Sequence, residues 1–282
     1  MTLHTTEIGH KPLQVGPYSL PLHERTLVMG ILNVTPDSFS DGGRYDRIEQ
    51  ALAHAREMVA AGADIIDVGG ESTRPQATLV SQEEELSRVI PIIEALAPTI
   101  DRPLSIDTYK AEVAWQAIQA GAHMINDVWG FKKDPDMAQV AAELDVPVIL
   151  MHNREHPVYT DLIADIRRDL LESVAIAQAA GVKAERIILD PGIGFAKSYE
   201  ENLQVMAQLE SIVDLGYPVL LGTSRKSMVG IALDLPVDER VEGTGATVTL
   251  GIAKGCGIVR VHDVRAMVRV ARMTDAMVRA RV

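Results

Sequence analysis

Eight short apolar runs recur along the chain, and they alternate with stretches that have helical spacing. The runs occupy residues 27–33, 63–70, 103–108, 123–128, 147–153, 186–192, 218–224 and 258–264. Short continuous apolar runs that alternate with helical stretches are typical of buried parallel strands. Eight such units in a row predict an α/β protein with a (β/α)8 barrel, also called a TIM barrel. The length of 282 residues suits one such barrel, so we expect a single domain over residues 1–282 with no internal boundary.

Three segments depart from this regular pattern. Residues 1–25 carry Gly16, Pro17 and Pro21 among short apolar stretches, which predicts an N-terminal hairpin or a plug under the barrel. The helical spacing over residues 81–96 contains Pro91, which we expect to kink the helix or split it in two. Residues 243–255 are rich in glycine and β-branched residues, yet their spacing still predicts a buried helix before the last strand.

The composition excludes several classes of partner. The net charge is −12 and no run of basic residues exists, so the sequence offers no electrostatic footprint for nucleic acid or an anionic membrane surface. No apolar run approaches the ~18 residues of a membrane-spanning helix, and the N-terminus lacks the basic start and apolar core of a signal peptide. The single cysteine, Cys256, excludes an internal disulfide and fits a reducing compartment. We therefore expect a soluble cytoplasmic protein that acts on small molecules.

Polar residues collect where the apolar runs end, and in a barrel these ends form the active-site face. Asp107, Asn126 and Asp190 supply carboxylates and one amide there. Such a set suits a flat nitrogen heterocycle, because a carboxylate can accept two parallel hydrogen bonds from an amino-pyrimidinone edge. The alternative is that each carboxylate caps the following helix or pairs with a neighbouring lysine. The complete set of polar run ends is Asn33, Asp107, Asn126, His152, Asp190, Lys226, Arg260 and His262.

Cations at the last two runs predict an anion site. Arg260 and His262 stand two residues apart and so point to the same side of a strand. Because a buried cation without a partner is costly, a ligand-facing role is favoured over packing. Lys226 lies in the segment GTSRKS, which lacks the glycine spacing of a Walker phosphate loop. Phosphate groups nevertheless recur at the ends of the seventh and eighth strands of this fold, so phosphate or pyrophosphate is the expected ligand.

Two loops at the same face are rich in polar residues and glycine. Residues 29–43 contain Asn33 and Asp41, and residues 69–77 contain Arg74, which the following Pro75 holds in an extended segment. These loops are either turn-rich connectors with a solvated arginine, or mobile lids whose side chains reach a ligand or Mg²⁺. The sequence has no paired Ser and His, no HExxH and no cysteine nucleophile. The expected chemistry is a transfer in which the protein orients two substrates and stabilises a leaving anion.

Seven motifs in register make the chain similar to bacterial dihydropteroate synthases from about residue 27 to the C-terminus. They are MGILNVTPDSFSDGG, DVGGESTRP, SIDTYK, INDV, ILDPGIGFAK, LLGTSRKS and VRVHDV. The resemblance implies condensation of 6-hydroxymethyl-7,8-dihydropterin pyrophosphate with 4-aminobenzoate, which gives 7,8-dihydropteroate and pyrophosphate in folate biosynthesis. It also implies an SN1-like displacement, Mg²⁺ as cofactor, sulfonamides as mimics of 4-aminobenzoate, and a homodimer formed through outer helices.

The same resemblance assigns roles position by position. The residues that would hold the pterin are Asp107, Asn126, Asp190, Lys226 and Arg260. The residues that would meet the pyrophosphate are Asn33, Arg260 and His262, and Asn33 would also contact Mg²⁺. The positions around 4-aminobenzoate are Phe39, Thr73, Pro75, Phe195 and Ser227. The residues with catalytic roles would be Lys226, Arg260 and His262, together with Asp41 and Arg74 of the two lid loops.

One position departs from the family pattern, and two other functions compete with the synthase. Where the family reads STRPG, this chain has Gln76; glycine permits backbone angles that glutamine resists, so we expect altered 4-aminobenzoate and sulfonamide binding. A non-catalytic pterin-binding paralogue would lack lid or pyrophosphate residues. A methyltransferase acting on methyltetrahydrofolate is the second alternative. The intact SRKS and RVHDV motifs and the long first loop favour the synthase over both.

Overall fold

The structure is a computed structural model that describes residues 12–22, 24–35, 44–71 and 79–280, except for the side chains of residues 44 and 45. The strands within these ranges are β1 (Leu13–Val15), β2 (Tyr18–Leu20), β3 (Leu27–Asn33), β4 (Ile65–Gly69), β5 (Leu104–Asp107), β6 (Met124–Asp127), β7 (Val148–Met151), β8 (Ile187–Asp190), β9 (Leu220–Leu221) and β10 (Ile258–Val261). The α-helices are α1 (Arg44–Ala61), α2 (Gln82–Leu96), α3 (Ala111–Gln119), α4 (Met137–Glu143), α5 (Leu162–Ala180), α6 (Tyr199–Ala207), α7 (Glu210–Val213), α8 (Ser227–Leu233), α9 (Val241–Ala253) and α10 (Val264–Val278).

Strands β3 to β10 form one parallel sheet in the order β8-β7-β6-β5-β4-β3-β10-β9. A parallel bridge between Leu189 and Val219 joins the two outer strands of this order and brings the sheet round into a barrel. Every residue of these eight strands is buried except Asn33 and Arg260. Strands that are covered on both faces need apolar residues on both, which explains the continuous runs. The predicted TIM barrel is confirmed.

The N-terminal hairpin closes one end of the barrel. Strands β1 and β2 pair antiparallel. Their residues Leu13, Val15 and Leu20 pack with the inward-facing residues of the barrel strands in one apolar cluster, which is separate from the main core. Those inward-facing residues are Leu27, Met29, Ile65, Met124, Ile149, Ile188, Leu220 and Ile258. Most of them stand at or near the first residue of their strands, so the hairpin lies at the end opposite the carboxyl ends. The predicted hairpin or plug is confirmed over residues 12–22.

Helices α2 and α9 test the predictions made for the segment that contains Pro91 and for the glycine-rich segment. Helix α2 continues through Pro91 without a break, so the predicted split is wrong. The apolar face on both sides of the proline, which includes Val89, Ile92 and Ile93, is buried against the core and holds the helix together. Helix α9 forms over Val241–Ala253, as the spacing of this glycine-rich segment predicts.

Candidate active site

Four strands bring polar side chains together at the carboxyl end of the barrel. Asp107 ends β5, Asn126 lies in β6, Asp190 ends β8 and Arg260 lies in β10. All three acceptor residues are buried. A polar residue at a strand end costs little of the apolar pattern that the strand needs for its own burial. The barrel gathers these residues at one mouth.

Arg260 is the centre of an ion-pair network with two buried carboxylates. Its Nη2 donates to Asp107 Oδ2 at 2.6 Å, and its Nε donates to Asp67 Oδ2 at 2.6 Å. Asn126 Nδ2 donates to the same oxygen of Asp67 at 3.1 Å. Burial alone would lower the pKa of Arg260, but the charges of Asp67 and Asp107 outweigh burial and raise that pKa. The guanidinium is therefore a fixed cation.

Two carboxylate oxygens in this network keep their acceptor capacity. Within the described part of the chain, Asp67 Oδ1 and Asp107 Oδ1 are buried and have no hydrogen-bond partner. A buried acceptor without a donor costs about 1–3 kcal/mol, so a ligand with N–H donors would recover that cost at Asp107. Burial raises the pKa of Asp107 to about 7, against the opposing effect of the Arg260 charge.

Asp190 and Lys226 face each other across Gly222. A Cβ atom placed on Gly222 would lie 3.8 Å from Asp190 Oδ2 and 3.9 Å from Lys226 Nζ, so both groups border the same point. Asp190 Oδ1 accepts from the backbone N–H of Gly192 at 2.7 Å. Burial raises the pKa of Asp190. Burial lowers the pKa of Lys226 to about 8, although the charge of Asp190 acts in the opposite direction.

Lys226 also contacts the turn that follows β8. Its ammonium donates to the carbonyl oxygen of Ile193 and lies 4.6 Å from the centroid of the Phe195 ring, within cation–π distance. Ser227 comes directly after Lys226 and is exposed at the first position of α8. The structure thus places the Phe195 ring against Lys226. Ser227 is exposed to solvent and follows Lys226 in the chain.

Asn33 and His262 complete the described part of the mouth. A Cβ atom on Gly69 would lie 3.8 Å from Asn33 Oδ1 and 3.6 Å from Asp107 Cβ, which puts Asn33 beside the Arg260 network. The backbone N–H of His262 donates to Ser224 Oγ at 3.1 Å, and its Nδ1 lies 3.0 Å from the same oxygen. Ser224 therefore fixes the orientation of the imidazole.

Five predicted site residues lie outside the described residues: Phe39, Asp41, Thr73, Arg74 and Pro75. They belong to the two loops, residues 29–43 and 69–77, for which a lid was one of two predictions, and Gln76 lies outside with them. The structure does describe Gly70 and Glu71, where the second loop begins. Lys110 Nζ lies 2.5 Å from Glu71 Oε2 and 2.5 Å from Glu85 Oε2, and Arg88 donates to the Gly70 carbonyl oxygen at 2.8 Å.

Sequence reasoning missed two residues that the geometry brings forward. Asp67 is fully buried and accepts from both Arg260 and Asn126; its signal was a carboxylate inside the apolar run ADIIDVGG. Lys197 lies in the turn that follows β8, and its side chain donates to two carbonyl oxygens of that turn. A lysine in a loop carries no comparable signal, because solvated lysines are common there.

Known proteins share this sequence and this architecture. The sequence model of a family described as pterin binding enzyme matches residues 29–262. A dihydropteroate synthase from Bacillus subtilis is 60% identical over 276 residues, which cover 98% of this chain and 95% of that protein. The chain belongs to the dihydropteroate synthase family. Membership of the dihydropteroate synthase family confirms the enzyme class that the motifs predict, a transferase.

Solved structures of dihydropteroate synthases have the same fold. The Xanthomonas albilineans enzyme with 4-aminobenzoic acid superposes with a TM-score of 0.92 at 44% identity, covering 96% of this chain and 100% of that one. The Yersinia pestis enzyme in complex with a sulfonamide drug gives a TM-score of 0.89 at 43% identity, covering 96% and 100%. In the part of this chain that the structure describes, no helix is both long and apolar enough to cross a bilayer.

Proposed function

We propose that the chain condenses 6-hydroxymethyl-7,8-dihydropterin pyrophosphate with 4-aminobenzoate to give 7,8-dihydropteroate and pyrophosphate. The observation that carries this proposal is the convergence of Asp107, Asn126, Asp190, Lys226 and Arg260 at one end of the barrel. The set combines acceptors for a heterocycle with cations for an anion. The dihydropteroate synthases among its relatives support the same reaction. We further propose that residues 1–282 act as one domain.

In this proposal the acceptors bind the pterin edge. Asp190 accepts two parallel hydrogen bonds from the 2-amino group and N3 of the ring, since its Oδ2 borders the space at Gly222. Asp107 Oδ1 accepts a further ring N–H, which satisfies an oxygen that otherwise lacks a donor. Asn126 supplies the amide, and Asp67 fixes its orientation. These contacts select a heterocycle with several donors on one side.

The cations act on the leaving group. Lys226 and Arg260 border the pterin space, and His262 and Asn33 lie at the same mouth. In an SN1-like displacement the C–O bond to pyrophosphate breaks first, and the electron-rich pterin ring stabilises the resulting methylene cation. The arylamine nitrogen then attacks with its lone pair and later loses a proton. Fixed positive charge aimed at the departing anion lowers the barrier, by about 2.7–4 kcal/mol for one preorganised donor in other enzymes.

Mg²⁺ fits this mouth as an ion shared with the substrate. It prefers oxygen ligands, and in phosphate-transfer sites it is held by one or two protein oxygens together with phosphate oxygens and water. Asn33 Oδ1 is such an oxygen. Among the described residues there is no group of three or more His, Cys, Asp or Glu side chains arranged to hold a metal, so most ligands would come from the pyrophosphate. Bound there, Mg²⁺ would neutralise charge on the leaving group.

The second substrate is proposed to bind at the outer part of the mouth. Phe195 and Ser227 lie next to Lys226, and Phe39, Thr73 and Pro75 would complete the 4-aminobenzoate site, with Asp41 and Arg74 contributed by the two lid loops. The partly exposed ring of Phe195 offers an apolar face to an aromatic ligand. A sulfonamide would bind as a mimic of 4-aminobenzoate, as the Yersinia pestis complex suggests.

We also propose a cytoplasmic homodimer. Several large apolar side chains on and around α8 and α10 are exposed, and they support an interface through these outer helices. They are Ile231, Leu233, Val237, Met273, Met277 and Val278. Sedimentation velocity measures the mass in solution; a monomer at all concentrations would contradict this part of the proposal.

Binding of dihydropterin pyrophosphate to Asp190→Asn tests the pterin site. Loss of the carboxylate removes a charge-assisted pair of hydrogen bonds, so we expect the Kd to rise about 10- to 100-fold. Isothermal titration calorimetry measures this Kd for the wild type and the variant. The matched control is Asp145→Asn, a surface carboxylate that pairs with Lys183 and Arg186. An unchanged Kd in Asp190→Asn would remove the residue from pterin recognition.

A further inference from the structure

The turn after β8, residues 192–197, follows an unusual backbone path. We call this segment the β8 turn. Gly192, Gly194 and Ala196 have positive φ angles of 67°, 82° and 48°; glycine adopts such angles freely, whereas Ala196 does so at a cost. A side chain on Gly192 would collide with the carbonyl oxygen of His152. The β8 turn is therefore packed tightly against the residue that follows β7.

The Lys197 ammonium is the support of the β8 turn. Its Nζ donates to the carbonyl oxygens of Gly192 at 2.9 Å and Phe195 at 3.0 Å, and it lies 2.9 Å from His152 Nδ1. Burial lowers the pKa of Lys197 to about 7; in its protonated form the side chain has three N–H donors, and these three acceptors use all of them. The ammonium thus ties the two ends of the β8 turn to each other and to β7.

The third acceptor, His152 Nδ1, belongs to an imidazole that is itself held in place by Asp169. His152 is buried, and its Nε2 lies 3.2 Å from Asp169 Oδ2, which also accepts from Arg154 Nε at 2.5 Å. Burial lowers the pKa of His152 to about 3, so the imidazole is neutral. Its Nε2–H donates to Asp169, and its Nδ1 lone pair accepts from Lys197. This chain of contacts links α5 to the β8 turn.

The other side of the β8 turn faces the candidate active site. The Gly192 N–H donates to Asp190, and the Ile193 carbonyl oxygen accepts from Lys226. The Phe195 ring lies against the Lys226 ammonium. The Phe195 N–H donates to the Gly192 carbonyl oxygen, and the Tyr159 hydroxyl donates to the neighbouring Ala196 carbonyl oxygen. Lys197 thus fixes the backbone of the β8 turn on the side away from the candidate active site, and the Phe195 ring lies on the side that faces it.

We propose that Lys197 is a positioning residue that holds the Phe195 ring against Lys226 in the geometry needed to bind 4-aminobenzoate. Lys197 itself contacts neither substrate. The inference rests on the proposed function for the assignment of Phe195 to 4-aminobenzoate, but the position of the ring is testable without any substrate. A purely structural role would instead change global stability and leave the ring and the balance between the two substrates unaltered.

Fluorine NMR tests the ring position directly. The chain has three phenylalanines, so incorporation of 4-fluorophenylalanine gives three resonances, and Phe195→Leu identifies the one of interest. In Lys197→Met we expect the Phe195 resonance to shift and broaden, while that of the buried Phe131 stays unchanged. The control is Lys183→Met, which removes a surface lysine that pairs with Asp145 and should alter neither resonance.

Steady-state kinetics of the same variants test the consequence. In Lys197→Met we expect the KM for 4-aminobenzoate to rise at least about tenfold, because small misplacements of a positioning group are costly. The KM for dihydropterin pyrophosphate should change less: Asp190 and Lys226 contact the β8 turn, but the other three residues proposed to hold the pterin, Asp107, Asn126 and Arg260, belong to other strands. Should Lys197→Met not fold, Lys197→Arg keeps the charge but replaces the three-donor ammonium with a planar fork, and the same two changes are expected in weaker form.

The outcomes separate this inference from the proposed function. An unmoved Phe195 resonance in both Lys197 variants overturns the inference, as does an equal rise in the KM of both substrates. A moved resonance with an unchanged KM for 4-aminobenzoate supports Lys197 as the residue that holds the ring, and it contradicts the assignment of Phe195 to that substrate.

Discussion

At the residue scale, the position of Arg260 depends on two buried carboxylates. Asp67 and Asp107 each accept from Arg260 through one oxygen and have a second oxygen without a hydrogen-bond partner among the described residues, and Asp67 also accepts from Asn126. Arg260 can present its remaining N–H groups to an anion because Asp67 fixes its Nε. Removing one partner of a buried pair leaves the other charge uncompensated.

Asp67→Asn therefore predicts a loss of activity without a loss of fold. The neutral amide presents an N–H₂ group or a weaker acceptor to Arg260, so we expect kcat/KM for dihydropterin pyrophosphate to fall about 10- to 100-fold, the equivalent of about 1.4–2.7 kcal/mol. Steady-state kinetics measure the loss, and circular dichroism checks the fold. The control is Asp101→Asn, an exposed carboxylate. Wild-type kinetics in Asp67→Asn would show that Arg260 does not need this partner.

The lowered pKa of Lys226 predicts that kcat/KM falls at alkaline pH. Burial lowers the pKa of Lys226 to about 8, so the ammonium is charged below that pH and loses its proton as the pH rises through it. We expect kcat/KM for dihydropterin pyrophosphate, which reports the free enzyme, to fall as the pH rises through about 8. In Lys226→Arg the side chain stays charged, so the residual activity should lose this fall. The same alkaline fall in Lys226→Arg would assign it to another group.

Single residues were predictable from sequence only where their position was unusual. Asp107, Asn126, Asp190 and Arg260 each interrupt an apolar run at its end, and the structure brings all four together. Asp67 interrupts a run in the same way, yet its role depends on an arginine 193 positions away, and no local pattern reveals that partner. Lys197 differs from a solvated lysine only through the carbonyl oxygens that the folded β8 turn directs at it.

At the element scale, α9 shows why local propensity was a poor guide. Gly243 and Gly251 should weaken this helix, but a side chain on either would collide with a neighbour, Val229 in the first case and Leu221 in the second. The glycines let α9 approach β9 and α8 closely. The spacing predicted the helix correctly, whereas composition alone argued against it. For Pro91 the opposite holds: the local rule predicted a kink or a split, and burial of α2 overrides the split.

A pair of substitutions in α9 separates propensity from packing. Alanine raises helix propensity by about 0.5–1 kcal/mol over glycine, whereas overpacking a core costs about 1–3 kcal/mol. Gly251→Ala should therefore lower the free energy of unfolding. Gly245→Ala, where the added Cβ would lie an ordinary 3.5 Å from Val270, should raise it. Urea unfolding measures both; a gain in stability for Gly251→Ala would contradict the packing account.

At the scale of the whole molecule, the apolar residues that stabilise the barrel and the polar residues of the candidate active site lie at opposite ends. The hairpin and the inward-facing apolar residues close one end, and the polar residues collect at the other. The order of eight runs predicted this architecture because each buried parallel strand needs a continuous apolar sequence. The sequence did not predict which site residues share hydrogen bonds, since those pairs join strands that are distant in the chain.

Product formation tests the central claim most directly. The purified chain is incubated with dihydropterin pyrophosphate, Mg²⁺ and radiolabelled 4-aminobenzoate, and labelled dihydropteroate is measured over time. We expect product from the wild type and from the surface control Lys183→Ala, and a loss of about 10²- to 10³-fold in kcat in folded Lys226→Ala and Arg260→Ala. A folded wild-type chain that binds dihydropterin pyrophosphate but forms no dihydropteroate would contradict the account, and unchanged turnover in either variant would remove that residue from the reaction.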